Sequence, residues 1–341
     1  MPNEQGGFIF SVASGVADSI FGNVQDPMVA LIIREHEAWM DRAVSLVNRV
    51  FHPFELDGAS GSVQEMGNLG EMEMTGENGA YPRSEIAEGF RKVFTSEEWK
   101  KDVAISQTAI EDEVRHVLKD KAHELMDAYH RTRNNFFWAL LGSALQNKHY
   151  IRKGKVLSTD GIDGVKLFST AHPSKFDPKL KQSNAFSLEF SSENLGKVAT
   201  AMQNAVTDSG EIAGLQPDTI IIPNTEEAKR KVFGAIGAYH DPDKDASNAF
   251  NYQFANWDVM VVPWLVPYCT DGQPFPWILM DSEFNKSRYG AVDIQRLKPT
   301  VKSYIDEGTD ANIFKLRTRF SGAFGNWRAF AAGGLPFGKE I

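Results

Sequence analysis

The residues of this chain that come nearest to a catalytic arrangement lie in the octapeptide LFSTAHPS, residues 167–174. His172 follows Ser169 by three residues and precedes Ser174 by two, and Asp177 is close enough in sequence to act as the third member of a triad. A hydrolase of this kind presents its nucleophile on a GxSxG elbow, and the sequence contains no GxSxG. We therefore predict a structural loop, in which His172 bonds a backbone carbonyl ahead of the rigid proline that follows it.

A second candidate for chemistry is a stripe of carboxylate-x-x-His pairs at seven-residue spacing. Pairs of this type hold metal in di-iron helical bundles, and seven residues return a side chain to nearly the same helix face. A di-iron centre also needs carboxylates on a facing helix, and the chain has no second helix with an ExxH motif. We expect a solvated or intersubunit polar face and keep a metal-dependent oxidase as the alternative. The pairs are Glu113 and His116, Asp120 and His123, and Asp127 and His130.

Other motif-like segments lack residues that their chemistry needs. HELMD and HEAWM lack the second histidine of an HExxH zinc site. Asp241, Asp243 and Asp245 have calcium-loop spacing, but Ala246 and Tyr252 replace the turn glycine and the bidentate glutamate. Neither GxxxxGK[ST] nor GxGxxG occurs, so a phosphate cradle is missing. We therefore assign no catalytic, cofactor-binding or metal-binding residue, and we expect neither an enzyme nor a cofactor.

The composition indicates a globular protein of two or three compact units. The chain has 341 residues, 42% of them hydrophobic, and a net charge of -9, so a basic nucleic-acid footprint over the whole chain is absent. Cys269 is the only cysteine, which excludes an intrachain disulfide. The longest apolar runs, such as 28–33, fall far short of the ~20 residues that span a bilayer. We expect no membrane association and no export signal.

Hydrophobic periodicity predicts one long helix in the first half of the chain. Apolar residues recur every three or four positions from 110 to 146, enough for a helix of about 50 Å at ~1.5 Å per residue. Residues 1–25 have the composition of an extended arm, and Asp26 followed by proline predicts a helix start. The glycine-rich segment 54–82 predicts a long hairpin, and FRKVFTSEEWKKDVAIS supplies its returning strands.

The second half of the chain predicts a small α/β unit over residues 190–292. Ser191 is typical of a helix N-cap, and Gly210 lies just beyond the end of that helix. Asn224 and Glu227 form a capping-box pattern for a second helix. The apolar runs DTIIIP, DVMVVP and WILMD are typical of short buried strands.

The last segment changes to the alternation of a half-buried strand. In NIFKLRTRF the apolar face is predicted to hold Phe314, Leu316, Thr318 and Phe320. The opposite face is basic, and it either stays solvated or meets nucleic-acid phosphates or an acidic neighbour. GNWRAFAAGG predicts a second strand after it. The basic residues are Lys315, Arg317, Arg319 and Arg328.

The order of these elements is similar to that of one protein family. The segments that carry the resemblance are LFSTAHPS, LQPDTIIIPNTEEAKRKVFGAIGA, NWDVMVVPWLVPY with PWILMD, and GTDANIFKLRTRFSGAFGNWRAF. Together with the long helix they cover most of residues 105–332. The chain resembles the major capsid proteins of tailed phages with the Hong Kong 97 fold, in detail their Mu-like major head subunit branch.

This resemblance implies an α+β fold in which five segments follow one another. Their expected bounds are an N-terminal arm at 1–50, an extended β-hairpin loop (E-loop) at 51–106, a peripheral domain with the long spine helix at 107–189, an α/β axial domain at 190–292, and the C-terminal strands of the peripheral domain at 293–341. The terminal strands are expected to return to the spine helix.

The resemblance also implies a function without catalysis. The chain would assemble as hexamers and pentamers into an icosahedral shell around double-stranded phage DNA, which it would contact non-specifically. Portal, scaffolding and decoration proteins are the expected partners, and the virion, assembled in the host cytoplasm, is the expected location. Encapsulin nanocompartments share the fold and remain an alternative. Trp99, Phe94, Met72 and Met74 would be apolar anchors, exposed in the monomer and buried in the shell.

Overall fold

The computed structural model describes residues 34, 46–66, 74–75, 88–106, 108, 115–177, 179–208, 210–237 and 250–340. Most of the predicted N-terminal arm and the helix start at Asp26 lie outside these residues. Helices and strands are both present, which confirms the α+β class. The helices are α1 Leu46–Val50, α2 Arg115–Leu145, α3 Ser192–Gln203, α4 Glu226–Gly237 and α5 Ser282–Ser287, with 3₁₀ helices at Pro263–Tyr268 and Trp327–Ala329.

The described strands form two larger sheets and three two-stranded pairs. The order β1-β12-β13-β4 makes one sheet, the order β10-β9-β11-β14 makes another, and β2-β3, β5-β6 and β7-β8 are pairs. The strands are β1 His52–Glu55, β2 Ser60–Met66, β3 Glu88–Thr95, β4 Glu97–Ile105, β5 Tyr150–Arg152, β6 Lys155–Leu157, β7 His172–Pro173, β8 Lys181–Gln182, β9 Thr219–Pro223, β10 Asp258–Val262, β11 Trp277–Met280, β12 Ala291–Asp306, β13 Ala311–Phe324 and β14 Phe330–Gly333.

Helix α2 is the long helix that the periodicity predicts, with 31 described residues. Residues 136–145 of this helix are buried, apart from half-buried Ala139, as is typical of a helix inside a core. The Phe51 ring packs 4.7 Å from that of Phe137. Gly322 of β13 lets the strand approach, because a Cβ there would lie 2.9 Å from both Phe137 and Leu140. The helix residues with no exposed surface are Phe136, Phe137, Trp138, Leu140, Leu141 and Ala144.

The predicted α/β unit is built around β9, which is parallel to β10 and antiparallel to β11. Helix α3 has the predicted cap, since the Ser191 side chain accepts a hydrogen bond from the backbone N–H of Asn194 at 3.1 Å. Helix α4 is capped one residue later than predicted. Thr225 Oγ1, rather than Asn224, accepts from the backbone N–H of Ala228 at 3.2 Å.

The C-terminal strand β14 belongs to this α/β sheet rather than to a sheet with β13. It pairs antiparallel with β11, so that Gly333 lies opposite Trp277. A Cβ at Gly333 would lie 2.2 Å from the Trp277 indole, and only glycine leaves room for the ring. The structure thus brings the last strand to the strand WILM. The preceding strand β13 does return to the long helix, since Gly322 lies against Phe137 and Leu140.

Strand β13 confirms the predicted alternation. Phe314, Leu316, Thr318 and Phe320 are buried, whereas Lys315 and Arg317 are exposed and Arg319 is half-buried. The period of two places every second side chain on the same face of the sheet. β13 pairs antiparallel with β4 over nine residues, from Asn312 opposite Ile105 to Phe320 opposite Glu97.

The chain divides into two compact units. One contains residues 1–45, 97–133 and 296–320, and the other contains residues 46–96, 134–295 and 321–341. The five segment boundaries expected from the sequence stay predictions. Among the described helices, none combines the length and the apolar character needed to cross a bilayer.

Two helical glycines provide a matched test of core packing. A Cβ at Gly142 in α2 would lie 2.3 Å from the Tyr268 ring, whereas a Cβ at Gly234 in α4 would meet nothing within 4 Å. We expect Gly142→Ala to lower the free energy of unfolding by about 1–2 kcal/mol, because overpacking exceeds the gain in helix propensity. Gly234→Ala should raise it by up to about 1 kcal/mol. Urea unfolding of the unassembled chain measures the change in unfolding free energy for both variants. Changes of the same sign would contradict the packing described for Gly142 and Gly234.

Candidate functional site

The histidine of LFSTAHPS is a buried structural residue with two side-chain partners. Its Nδ1 lies 2.6 Å from Asp163 Oδ2, and its Nε2 lies 3.1 Å from Asn184 Oδ1. The prediction that His172 bonds a backbone carbonyl is therefore wrong. The segment is also more regular than a loop, since His172 and Pro173 form β7, which pairs with β8.

The flanking serines are not placed for nucleophilic attack. Ser169 Oγ accepts from the backbone N–H of Ala171, and Ser174 Oγ donates to the Asp208 carbonyl at 3.0 Å. Asp177 accepts from the backbone N–H of Lys179 instead of orienting the histidine. Both ring nitrogens of the histidine already have partners, so the imidazole is not placed to act as a base toward Ser169 or Ser174.

The hydrogen bonds of Asn184 show which of its side-chain atoms faces the histidine. The Asn184 amide nitrogen donates to the carbonyls of Leu167 at 2.8 Å and Phe330 at 3.1 Å, so its oxygen faces the imidazole. That oxygen and the Asp163 carboxylate are both acceptors. The imidazole also stacks on Trp327, with ring centroids 4.1 Å apart.

Arg328 forms a second buried ion pair beside this histidine. Its Nη2 donates to Asp208 Oδ1 at 2.7 Å and its Nε donates to the Val206 carbonyl at 3.0 Å. The guanidinium also lies 4.7 Å from the Trp327 ring. The prediction that Arg328 belongs to an exposed basic strand face is wrong, because the residue is 6% exposed. We call Asp163, His172, Asn184, Asp208 and Arg328 the polar junction.

The hairpin formed by β2 and β3 has one face turned inward. Its inward face carries Phe94, which packs edge-on against Phe54 with centroids 5.3 Å apart. Phe94 belongs to a small core with Leu56, Val292 and Ile294. Phe94 is 1% exposed, so the expectation that it is an anchor exposed in the monomer is wrong. It anchors the hairpin to its own subunit instead.

Two charged groups on the same inward face extend this attachment. Lys92 Nζ donates to the carbonyls of Asp160 at 2.5 Å and Phe324 at 2.8 Å, and burial lowers the pKa of this ammonium to about 8. Glu65 accepts from Asn326 Nδ2 at 2.6 Å. Asn326 also caps the turn that contains Arg328, so the hairpin is tied to the polar junction.

The other predicted anchors differ in their exposure. Met74 is fully exposed, as expected, and Met72 lies outside the described residues. Trp99 is half-buried, since its ring stacks on Phe320 at 5.0 Å and its Nε1 donates to the Phe320 carbonyl at 3.0 Å. Val93, which sequence reasoning did not single out, is 57% exposed on the outward face of β3.

The carboxylate-histidine stripe of α2 does not behave as a continuous polar face. Asp127 is exposed and His130 is 5% exposed, so the expectation of solvation is wrong for His130. The other side chains of the stripe lie outside the described part of the chain, as does the calcium-like segment 241–245. Among described side chains, no group of three histidine, cysteine or acidic residues is placed to hold a metal ion.

Comparison with known proteins identifies the family. A model of the family described as phage capsid protein matches residues 91–333, more than two thirds of the chain. The chain belongs to this family. Its members are components of the phage capsid, so the prediction of a capsid protein is confirmed, and the chain is a virion subunit of a capsid-forming oligomer. No curated protein sequence matches this capsid protein.

Solved structures similar to this capsid protein include three particles. The procapsid of bacteriophage JBD30 has 15% identity and a TM-score of 0.47, with 93% of this chain and 75% of that chain covered. The JBD30 capsid has 15% identity and a TM-score of 0.49, with 67% and 94% covered. A virus-like particle from Pyrococcus furiosus has 14% identity and a TM-score of 0.43, with 90% and 98% covered. Membership of the family rests on the family model.

The contribution of the buried pair of His172 and Asp163 to stability can be compared with that of an exposed ion pair. We expect His172→Ala to lower the free energy of unfolding by about 3–5 kcal/mol, because it leaves the Asp163 carboxylate buried without its partner. Arg230→Ala, which removes an exposed pair with Glu226, should change it by less than about 0.5 kcal/mol. Urea unfolding of the unassembled chain measures both. A loss for His172→Ala as small as the control would contradict the structural role.

The Glu65 carboxyl, at the base of the hairpin, is expected to make the stability of the chain depend on pH. Burial raises the pKa of its carboxyl from 4.5 to about 7, so between these pH values the folded chain holds a proton that the unfolded chain releases. This carboxyl therefore makes stability fall as pH rises from about 4.5 to 7. Glu65→Gln keeps an acceptor for Asn326 and removes the titration.

The measurement is the difference in unfolding free energy between the Glu65→Gln variant and the unchanged capsid protein. We expect Glu65→Gln to be the more stable of the two at pH 8, and this advantage to shrink toward pH 5. Glu55→Gln, at an exposed position on β1, is the control. A difference that is independent of pH would contradict the raised pKa.

Proposed function

We propose that this capsid protein is the major shell subunit, which assembles as hexamers and pentamers into an icosahedral shell around double-stranded phage DNA. The finer assignment to the Mu-like branch belongs to the same proposal, as do the five segments with an E-loop at 51–106 and an axial domain at 190–292. The proposal has no catalytic role in it. Assembly would take place in the host cytoplasm, with portal, scaffolding and decoration proteins as partners.

The observation that carries the proposal is the construction of the hairpin. Its inward face is fastened to its own subunit through Phe94, Lys92 and Glu65. Its outward face exposes Val93, and Met74 between the two strands is fully exposed. A hairpin whose inward face is held to its own subunit keeps its outward face, with Val93, for contact with another molecule, and lying on a neighbouring copy is the use that a closed shell requires.

A group of exposed aromatic residues in the α/β unit gives further support. The segment 250–255 is held to the last turn of α4, because Asn251 Nδ2 donates to the Ala235 carbonyl and the backbone N–H of Ala255 donates to the Ile236 carbonyl. Aromatic side chains are enriched at protein interfaces, and an exposed group of them marks a contact surface. The exposed residues are Phe233, Phe250, Tyr252 and Phe254.

Electron microscopy and elemental analysis of the purified protein test the proposal together. We expect closed, metal-free particles of uniform size, alone or with the scaffolding protein of the same phage. A small oligomer with stoichiometric iron would instead support the oxidase alternative. Closed shells that package an enzyme and no DNA during infection would support the encapsulin alternative.

The hairpin can be shortened without moving its strands. Met66 and Glu88 face each other at the end of the β2–β3 pair, so a two-residue Asn-Gly turn can replace residues 67–87. We expect this variant to keep the far-UV circular dichroism of a folded subunit and to form no closed shells, since the contact with the next copy is lost.

A second variant of full length separates side chains from chain length. It replaces Leu69, Met72 and Met74 by serine, and we expect it to form shells less completely than the unchanged chain. Particle yield by sedimentation, with negative-stain images, is the readout. Normal shells from the shortened variant would overturn the role of the hairpin in assembly.

A further inference from the structure

The sheet made by β12, β13 and β4 has a strongly basic outer face. Exposure alternates along β12 from Arg296 to Tyr304, and the even-numbered residues point outward. Among the described residues of this face, cations outnumber carboxylates by seven to two, in a chain whose net charge is -9. The cations are Lys100, Arg296, Lys298, Lys302, Lys315, Arg317 and Arg319, and the carboxylates are Glu98 and Asp102. We call these nine residues the basic face.

Contacts across the strands show that these side chains share one face. Lys315 Nζ of β13 lies 4.5 Å from the ring centre of Tyr304 on β12. Arg317 Nε of β13 donates to Glu98 Oε1 of β4 at 2.6 Å. The register places Lys315 opposite Asp102 and Arg317 opposite Lys100, and residues directly opposite each other in a sheet lie on the same side.

The carboxylates of the basic face lie among its cations. Glu98 bonds Arg317 and also lies 3.1 Å from Lys100 Nζ, and the hydrogen bonds from these two residues lower the pKa of Glu98. Asp102 is the second carboxylate. The cations of the basic face lie on three strands, with successive outward side chains about 6.6–6.8 Å apart along a strand. Such an array attracts a polyanion with closely spaced charges.

The chemistry of the basic face favours a phosphate backbone over a protein surface or exposed bases. The centres of protein interfaces are apolar and depleted in lysine, whereas four of the seven cations here are lysines. Binding of single strands uses stacking on free aromatic rings. The aromatic ring that β12 contributes to the basic face is that of Tyr304, and Lys315 Nζ lies over this ring.

We propose that the basic face binds the phosphates of double-stranded DNA without reading its sequence. This inference rests on the proposed function, in which the shell encloses such DNA, and it assigns the contact to one sheet of the subunit. Electrostatic binding of this kind is independent of base sequence and weakens steeply with salt, because bound phosphates release their counterions.

The test compares two variants of equal charge in the unassembled full chain. The face variant carries Lys298→Ala, Lys302→Ala, Lys315→Ala and Arg319→Ala. The control variant removes four cations from exposed or turn positions elsewhere, with Lys153→Ala, Lys155→Ala, Lys229→Ala and Arg230→Ala. The probe is a fluorescent duplex of about 30 base pairs and mixed sequence, and anisotropy gives its affinity between about 50 and 200 mM salt.

We expect the face variant to bind the duplex at least tenfold more weakly than the unchanged chain, and its slope of log affinity against log salt to flatten by about 3–4. The control variant should lose less than about twofold. A conservative variant, with Lys298→Arg, Lys302→Arg, Lys315→Arg and Arg319→Lys, should keep the affinity. Circular dichroism confirms that each variant is folded.

Three results would overturn the proposal. The first is equal loss in the face and control variants, which would mean that net charge alone governs binding. The second is unchanged affinity in the face variant. The third is a face variant that keeps DNA affinity but forms no shells, which would identify an acidic surface of a second copy as the occupant. Shell formation is scored by electron microscopy, so failure of the unchanged chain to assemble is distinguished from failure to bind DNA.

Discussion

A two-stranded hairpin is at best marginally stable in water, and the way β2 and β3 are held follows from this limit. The inward face of the hairpin obtains its stability from groups far along the chain. Phe94 enters a core with Val292 and Ile294, Lys92 bonds the Phe324 carbonyl, and Glu65 bonds Asn326. These contacts hold the strand bases in one orientation, so in the proposed assembly less conformational entropy would be lost when the hairpin meets a neighbouring copy.

The turn that begins at Asn326 connects the hairpin to the polar junction. Asn326 bonds Glu65, Trp327 stacks on His172, and Arg328 pairs with Asp208. Buried ion pairs contribute less to stability than their distances suggest, because both charges lose water. Their geometry is demanding, however, since a shifted partner leaves a buried charge unsatisfied. The polar junction therefore restricts the hairpin base to one arrangement. It adds less to the free energy of unfolding than its short distances suggest.

Local patterns predicted the elements whose environment repeats along the chain. The alternation of NIFKLRTRF, the apolar runs of β9 to β11, the Ser191 cap and the long helix were all readable, because a repeating or adjacent environment selects each residue type. The failures were residues whose partners are distant in sequence. Arg328 follows a basic strand yet pairs with Asp208, and nothing near Phe94 reveals its core. No local sequence pattern links His172 to Asn184. The sequence around Gly333 does not indicate that β14 pairs with β11.

The distribution of charge adds a constraint on how copies of this capsid protein approach one another. A chain with a net charge of -9 repels its copies, and salt confines that repulsion to about 8 Å at physiological ionic strength. Under the proposed function, contacts between copies must therefore gain free energy at short range, and exposed apolar groups such as Phe233 and Tyr252 are available for this. The basic face has the opposite sign and a surface rich in lysine, which suits a solvated polyanion. Under the two proposals, association with other copies and attraction of nucleic acid would use different residues, so neither interaction would compete with the other.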